Sequence, residues 1–444
     1  MPRDASRPIG VLGLRNLTAA VDRLAAGAAW TAIGAVFSRG APLLYAIIIA
    51  RSLGREAAGE FAMVQSTGAA VLTLTGPGLH TVATRVFAQQ REAGVDTAFS
   101  VGQIIRSAWT MGLIGAVALA LAAGWTATHI LGAGQLASAT RTGGGLMVLF
   151  GTLSTVCAGA LLGLHRFRSI AAANFVTGAI GVAGVSCGAI FGGVTGAALG
   201  LAVSYAAGYL VLRKALPKAS SAQPPPRDSE GMQQFMRSSV LLGAAYAING
   251  ASNWAAMSGL ARSSHGYADV ALFAVANQWQ TAILFIPSAF SIVLLPRLSG
   301  LLWRRDGPAL RQTLAATLLV NVVLACAGIV VVVLCAQGLL RLYGPAFVGG
   351  EATIYAMAIA SIPVTVANLT SQVMYAQGLM VGSLCAQTSY AAALLMLSGW
   401  LISDAGAFGL AVATAGAHCA LIGANVVAIA LDRRAARRSA KARG

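Results

Sequence analysis

Arg39 sits in the middle of "AVFSRGAPLL" (35–44), inside a long apolar run and with no acidic residue near it in the chain. A guanidinium keeps its proton in a protein and pairs bidentately with phosphate. An arginine here therefore has the chemistry to hold a phosphorylated head group. Its other use is to bond helix carbonyls or a neighbouring hydroxyl. A second concentration of polar groups is "ANQWQT" (276–281), where Asn277, Gln278, Trp279 and Gln280 follow one another in an otherwise apolar run. Amides donate to and accept from sugar hydroxyls, and the Trp279 indole offers a flat face to a pyranose ring. Consecutive residues cannot share one face of a helix. At least one of the four must meet a neighbouring helix, and interhelical hydrogen bonding is the competing use for all of them. Gln65 stands 212 positions before Asn277. Asn249 and Asn253, four apart, share a face with Tyr246, and Asn368, Ser371 and Gln372 form a similar stripe.

The elements that must position these groups are membrane helices. Of 444 residues, 57% are hydrophobic and only 10% charged, with a mean hydropathy of +0.74. A soluble domain carries about 25% charged residues. A helix crosses the hydrocarbon layer in about 20 apolar residues. On that length the chain predicts twelve spans: 26–50, 57–83, 103–124, 143–164, 170–191, 194–213, 238–261, 267–295, 314–340, 352–376, 380–402 and 407–430. Pro77, Pro287 and Pro296 mark irregular points. Arg39 falls mid-span, at an insertion cost of about 2.5–3.5 kcal/mol, so it should face a wet cleft and not lipid. Glycine pairs at Gly159/Gly163, Gly184/Gly188 and Gly196/Gly200 have the spacing of helix-packing seams. The six cysteines all lie in apolar stretches and read as small buried hydrophobes. His80 and His418, lone histidines in or near spans, read as structural.

The net charge of +17 follows membrane topology, with no aromatic-basic surface for nucleic acid. Of 30 Lys and Arg, 24 lie in the N-terminus, the even-numbered connections and the C-terminus; five lie in the odd-numbered ones. This split puts both termini in the cytoplasm of a cytoplasmic-membrane protein, which requires an even number of spans. Residues 1–25 read as an amphipathic helix on the inner surface, with Leu14, Leu17, Val21 and Leu24 beside Arg15, Asp22 and Arg23. Residues 215–236 are a Pro/Ser-rich linker between an N-lobe (26–214) and a C-lobe (237–431), and 432–444 form a basic tail. A shift of 212 aligns the lobes: Gly54 meets Gly266, Phe61-Ala62 meets Phe273-Ala274, Arg85 meets Arg297 and Gly132 meets Gly344. Ala50-Arg51-Ser52 meets Ala261-Arg262-Ser263 with a one-residue slip. Six spans per half make these parallel repeats about an axis along the membrane normal.

"LLYAIIIARSLGREAAGEFAMVQ" (43–65), "LLGLHRF" (161–167), "LPRLSG" (295–300) and "RLYGPAF" (341–347) resemble the polysaccharide flippase branch of the multidrug/oligosaccharidyl-lipid/polysaccharide exporter (MOP) superfamily, which includes O-antigen translocases. The resemblance implies an all-α membrane protein of two six-helix lobes around a V-shaped cleft lined by the first, second, seventh and eighth helices. It implies a polyprenyl-pyrophosphate oligosaccharide as substrate, membrane lipid as a second partner, and a polysaccharide polymerase and other assembly proteins as associates. It supports placing Arg39, Gln65, Asn249, Asn253, Asn277, Gln278, Trp279 and Gln280 at the substrate. No Gly-Lys dipeptide occurs, so no Walker A loop is expected, and no metal, cofactor or catalytic constellation is. The rival readings are a cation-coupled multidrug antiporter, a peptidoglycan-precursor flippase and a membrane glycosyltransferase or polymerase, the last disfavoured because the outer connections are short and the longest, about 125–142, has no acidic residue. The first needs a buried carboxylate, whereas Glu60 and Asp269 lie only near span starts. Relatives of the second type usually have fourteen spans and a more basic cavity.

Overall fold

The computed structural model describes residues 12–94, 97–218, 229–288 and 307–441. In hydrocarbon every backbone N–H and C=O must be bonded within its own segment, which leaves these apolar runs the α-helix. The helices are α1 (Leu12–Thr75), α2 (Pro77–Glu92), α3 (Ala98–Trp125), the short α4 (Leu136–Ala139), α5 (Gly145–Gly163), α6 (Phe167–Ala215), α7 (Ser229–Arg262) and α8 (Gly266–Ile283). They continue as α9 (Gly307–Tyr343), α10 (Glu351–Ile359), α11 (Ser361–Gln377) and α12 (Met380–Lys441). Two π turns, Thr126–Ile130 and Thr140–Gly144, flank α4.

Three long helices fold back on themselves at glycine. α1 breaks at Gly54, α6 at Gly192 and Gly193, and α12 at Gly406. Contacts across each break define hairpins: Gln65 bonds Tyr45 across Gly54 at 2.9 Å, a Cβ at Gly184 would stand 3.0 Å from the Gly200 carbonyl, and Gly409 lies against the Leu401 carbonyl across Gly406. Gly188 and Gly196 meet backbone to backbone in the same hairpin. The predicted glycine seams thus pack against each other, and Gly159 and Gly163 receive the His80 and Thr84 carbonyls of α2. Such close approach supplies the association that hydrophobicity cannot supply in lipid.

Among the described residues seven helical stretches are long and apolar enough to cross a membrane. Three of them are the hairpins, which makes ten crossings, and α7 and α8, less apolar, occupy the seventh and eighth predicted spans in the two-lobe fold. Two of the twelve spans divide where the spacing predicted continuity or only irregularity. The second span breaks at Gly76, and Pro77 opens α2, where its missing N–H costs nothing. The tenth breaks at Ala360, because the Pro363 ring meets the carbonyl four residues back. Pro287 interrupts the helix after Ile283 by the same rule, and the helical turn resumes over 285–288. Pro296, Arg297 and 295–300 lie outside the described residues, as do 219–228 of the predicted linker. α7 already begins at Ser229, inside that linker, and α1 runs from Leu12 straight into the first span. The cysteines depart from expectation: Cys157 is buried, whereas Cys187, Cys326, Cys335, Cys385 and Cys419 are exposed on the bundle surface. A surface bathed in lipid accepts small apolar groups, so apolar surroundings in sequence do not imply burial.

The repeat is visible in the backbone. The positive-φ turns pair as Gly54 with Gly266, Gly132 with Gly344, His165 with Gly378, and Gly193 with Gly406, at separations of 212, 212, 213 and 213 positions. One buried core crosses between the lobes near the end of the bundle opposite the chain termini, joining Met63 and Val64 of α1 to Leu260, Val270 and Leu272 of α7 and α8. That end is called distal below.

Candidate functional site

Arg39 lies on the first arm of α1, 15 residues before the Gly54 turn. At 1.5 Å per residue that is about 22 Å from the distal end, inside the hydrocarbon layer. It is half-buried and reaches the other lobe just past the end of α8. Its Nη1 donates to Ser288 Oγ at 3.1 Å, and its guanidinium carbon stands 5.3 Å from the Phe285 ring centroid. Ser288 Oγ in turn donates to the Phe285 carbonyl at 2.8 Å. The ion pairs among the described residues involve Asp269 with Arg55 and His265, and none involves Arg39. Among the described residues the cation is therefore held by one neutral hydroxyl and one ring face. A guanidinium has five N–H donors, so most of its capacity is uncommitted.

Above Arg39, toward the distal end, the two arms of α1 and α8 enclose a small cavity of about 20 Å³ lined by Tyr45, Phe61, Gln65 and Gln278. Gln65 donates to the Tyr45 hydroxyl at 2.9 Å. The four polar residues of 277–280 divide as helix geometry requires. Asn277 is exposed, and Gln278 enters the cavity. Trp279 packs on the C-lobe core, and buried Gln280 donates to the Met357 carbonyl of α10 at 3.0 Å. The structure thus brings Gln65 together with Gln278, its partner at a shift of 213, rather than with Asn277.

Asn249 and Asn253 belong to a network inside the C-lobe. Asn249 Nδ2 donates to Gln387 Oε1 at 3.2 Å, and Asn253 Nδ2 to the Asn249 carbonyl at 2.8 Å. The Tyr390 hydroxyl donates to Asn253 Oδ1 at 3.1 Å, and its ring meets His418 edge-on, 4.9 Å between centroids. Asn368 is exposed, while Thr370 and Ser371 accept from Asn425 at 3.0 and 3.1 Å.

Sequence reasoning missed the contacts that hold the lobes together. Midway, the Trp254 indole N–H donates to Thr67 Oγ1 at 2.9 Å, and Thr73 Oγ1 stands 2.5 Å from where a Gly250 Cβ would be. At the distal end the arginines form a clamp. Arg51 donates to the Leu342 and Arg341 carbonyls of α9 at 2.6 and 3.0 Å. Arg262 donates to the His129 carbonyl after α3 at 2.6 Å. His129 and Leu342 are 213 positions apart, so these are one contact made twice, once from each lobe. Arg55 adds bonds to the Ala268 and Ala346 carbonyls, both at 2.8 Å, and to Asp269 at 3.0 Å. Cations suit helix C-terminal carbonyls, which lack intrahelical donors. The matched Ala-Arg-Ser tripeptides were the signal available in the sequence.

A family model described as polysaccharide biosynthesis protein matches residues 24–302. No curated protein matches the chain. Among solved structures, the chain is similar to an inward-facing multidrug resistance MATE family transporter of the MOP superfamily, at a TM-score of 0.71 and 14% identity, covering 90% of this chain and 95% of that one. It is similar to the lipid II flippase MurJ in an inward closed conformation, at 0.71 and 12%, covering 90% and 87%. It is also similar to a MOP superfamily transporter from Pyrococcus furiosus, at 0.65 and 15%, covering 92% and 94%. At these identities the likeness is one of fold: twelve helices in two lobes.

Proposed function

The chain belongs to the polysaccharide biosynthesis protein family, a multi-pass membrane flippase family of the MOP superfamily, and from that premise we propose that it moves a polyprenyl-pyrophosphate-linked oligosaccharide from the inner to the outer leaflet of the cytoplasmic membrane by alternating access. The observation that carries this reading is Arg39: a mid-span cation, held across the lobe interface by a single hydroxyl and paired with no carboxylate among the described residues. A diphosphate offers that guanidinium two charge-assisted bonds, each about twice as strong as a neutral one.

The prenyl tail stays in lipid while the diphosphate and glycan enter between the lobes. Phosphate at Arg39 takes the donors now shared with Ser288 and frees the C-lobe from that bond. With both termini cytoplasmic, the distal end faces outward, and the clamp of Arg51, Arg55 and Arg262 is the outer gate. It opens when water replaces those arginines at the helix-end carbonyls. Gln65 and Gln278 stand on the path as amides that bind sugar hydroxyls. Removal of the product by a polymerase would give the cycle its direction.

The test is glycan export in cells with Arg39→Ala and Arg39→Lys, with membrane insertion checked alongside. Export should be abolished by alanine and restored in part at most by lysine, which keeps the charge but loses the planar fork. Normal export by the alanine variant would exclude this role. Dye efflux that depends on this protein would instead favour a multidrug exporter.

A further inference from the structure

Inside the N-lobe, apart from the lobe interface, lies a partly open cavity of about 250 Å³. It is walled by the first arm of α1, by α5 and by both arms of α6. None of its sixteen lining residues is charged, yet eight are polar: Ser38, Tyr45, Ser154, Thr155, Asn174, Thr177, Ser204 and Tyr205. The volume would hold roughly eight waters at about 30 Å³ each. Such a space inside a membrane lobe, where interfaces elsewhere pack backbone against backbone, is a built feature.

Its polar groups are only partly spent. Ser154 donates to the Tyr205 carbonyl at 3.1 Å and Ser204 to the Leu201 carbonyl at 2.6 Å, and both oxygens can still accept. Tyr45 accepts from Gln65. Among the described residues the Asn174 amide, the Thr177 hydroxyl, which lies against Gly208, and the Tyr205 hydroxyl have no hydrogen-bond partner. Three unspent polar side chains at this depth are costly unless something fills the space.

The lining decides what fits. A bare cation would meet no negative charge, and a phosphate no positive one. An apolar group would strand the three polar side chains. A neutral molecule rich in groups that both donate and accept would satisfy them, with the Tyr45 and Tyr205 rings as apolar walls. Placement agrees: Ser38, exposed at the rim, adjoins Arg39 in the chain, and Tyr45 lines both this cavity and the small one between the lobes.

We infer that this intra-lobe cavity is a glycosyl subsite that takes one neutral pyranose unit of the transported glycan while the diphosphate is held at Arg39. The inference rests on the flippase reading but has a separate test. The purified full-length protein in nanodiscs is examined by saturation-transfer difference NMR with a panel of methyl glycosides: glucoside, galactoside, mannoside, rhamnoside and N-acetylglucosaminide. Binding of inorganic pyrophosphate is followed by phosphorus line broadening in the same samples. At least one glycoside should give a saturable signal that falls five-fold or more in Thr177→Val and in Asn174→Leu. Thermal unfolding of the isosteric Thr177→Val should occur no lower than in the parent, since the change removes an unpaired hydroxyl from the membrane interior. Pyrophosphate broadening should persist in both variants and vanish in Arg39→Ala. No saturable glycoside signal, or one that neither variant weakens, overturns the subsite. Pyrophosphate broadening that ignores Arg39→Ala overturns the phosphate role and leaves the glycoside result standing.

Discussion

The arginines at the distal end and the arginine in mid-span are used in opposite ways. Arg51, Arg55 and Arg262 together direct six N–H groups at carbonyl or carboxylate oxygens of the other lobe. Arg39 also crosses the interface but, among the described residues, meets one hydroxyl and one phenyl ring. The first set is matched to fixed acceptors and so closes a surface. The second has donors to spare in a place where spare donors are expensive, the condition of a group awaiting an anion. One of the distal contacts, Arg51 to Leu342 and Arg262 to His129, is also doubled by the internal repeat. Arg39 has no counterpart, since the position 212 residues on is Ala251. The gate draws on a contact made from both lobes, while the proposed phosphate site belongs to one lobe.

That contrast can be broken by exchanging the roles of the two sets. The largest effect is expected at Arg39. Losing a charge-assisted pair of about 3 kcal/mol predicts a fall of roughly 100-fold in glycan flux at subsaturating substrate for Arg39→Ala. Arg51→Ala with Arg262→Ala should leave binding of the head group intact and shift the resting population toward a distally open state. These three bonds are solvent-exposed, so each is worth about 0.5 kcal/mol, and losing them together predicts a shift of roughly ten-fold. Dyes placed by Gly134→Cys and Val348→Cys report it as a loss of energy transfer. The repeat sharpens this: Arg51→Ala, which loses two bonds, should shift the equilibrium more than Arg262→Ala, which loses one, and equal shifts would show that only the matched Leu342 and His129 contacts carry weight. The smallest effect belongs to Thr67→Val, which deletes the neutral bond to Trp254. About 1 kcal/mol there predicts roughly a five-fold change in the same energy-transfer equilibrium and little change in flux.

Much of the fold was legible in the chain. Twelve spans follow from apolar length, and the hairpins follow from glycines whose positive φ no other residue adopts cheaply. The repeat showed in Gly54 with Gly266 and Gly132 with Gly344 because these turns admit little else. The site was legible in part. Arg39 stands out wherever it is placed, since a charge in an apolar span is rare. The direction of each side chain was not. Asn277, Gln278, Trp279 and Gln280 look alike in sequence, and only the packing of α8 on α10 turns Gln280 inward. Arg51, Arg55 and Arg262 are three of the five basic residues that run against the charge bias. Their reason is a helix end in the other lobe, more than 130 positions away, which no local pattern encodes.

The central claim is that the mid-span guanidinium recognises a diphosphate. It is tested most directly by native mass spectrometry of the protein from nanodiscs supplied with equal undecaprenyl pyrophosphate and undecaprenol. The parent and Arg51→Ala should retain the diphosphate lipid in clear preference to the alcohol, and Arg39→Ala should retain both alike. An Arg39→Ala protein that still prefers the diphosphate lipid as strongly as the parent would contradict the account.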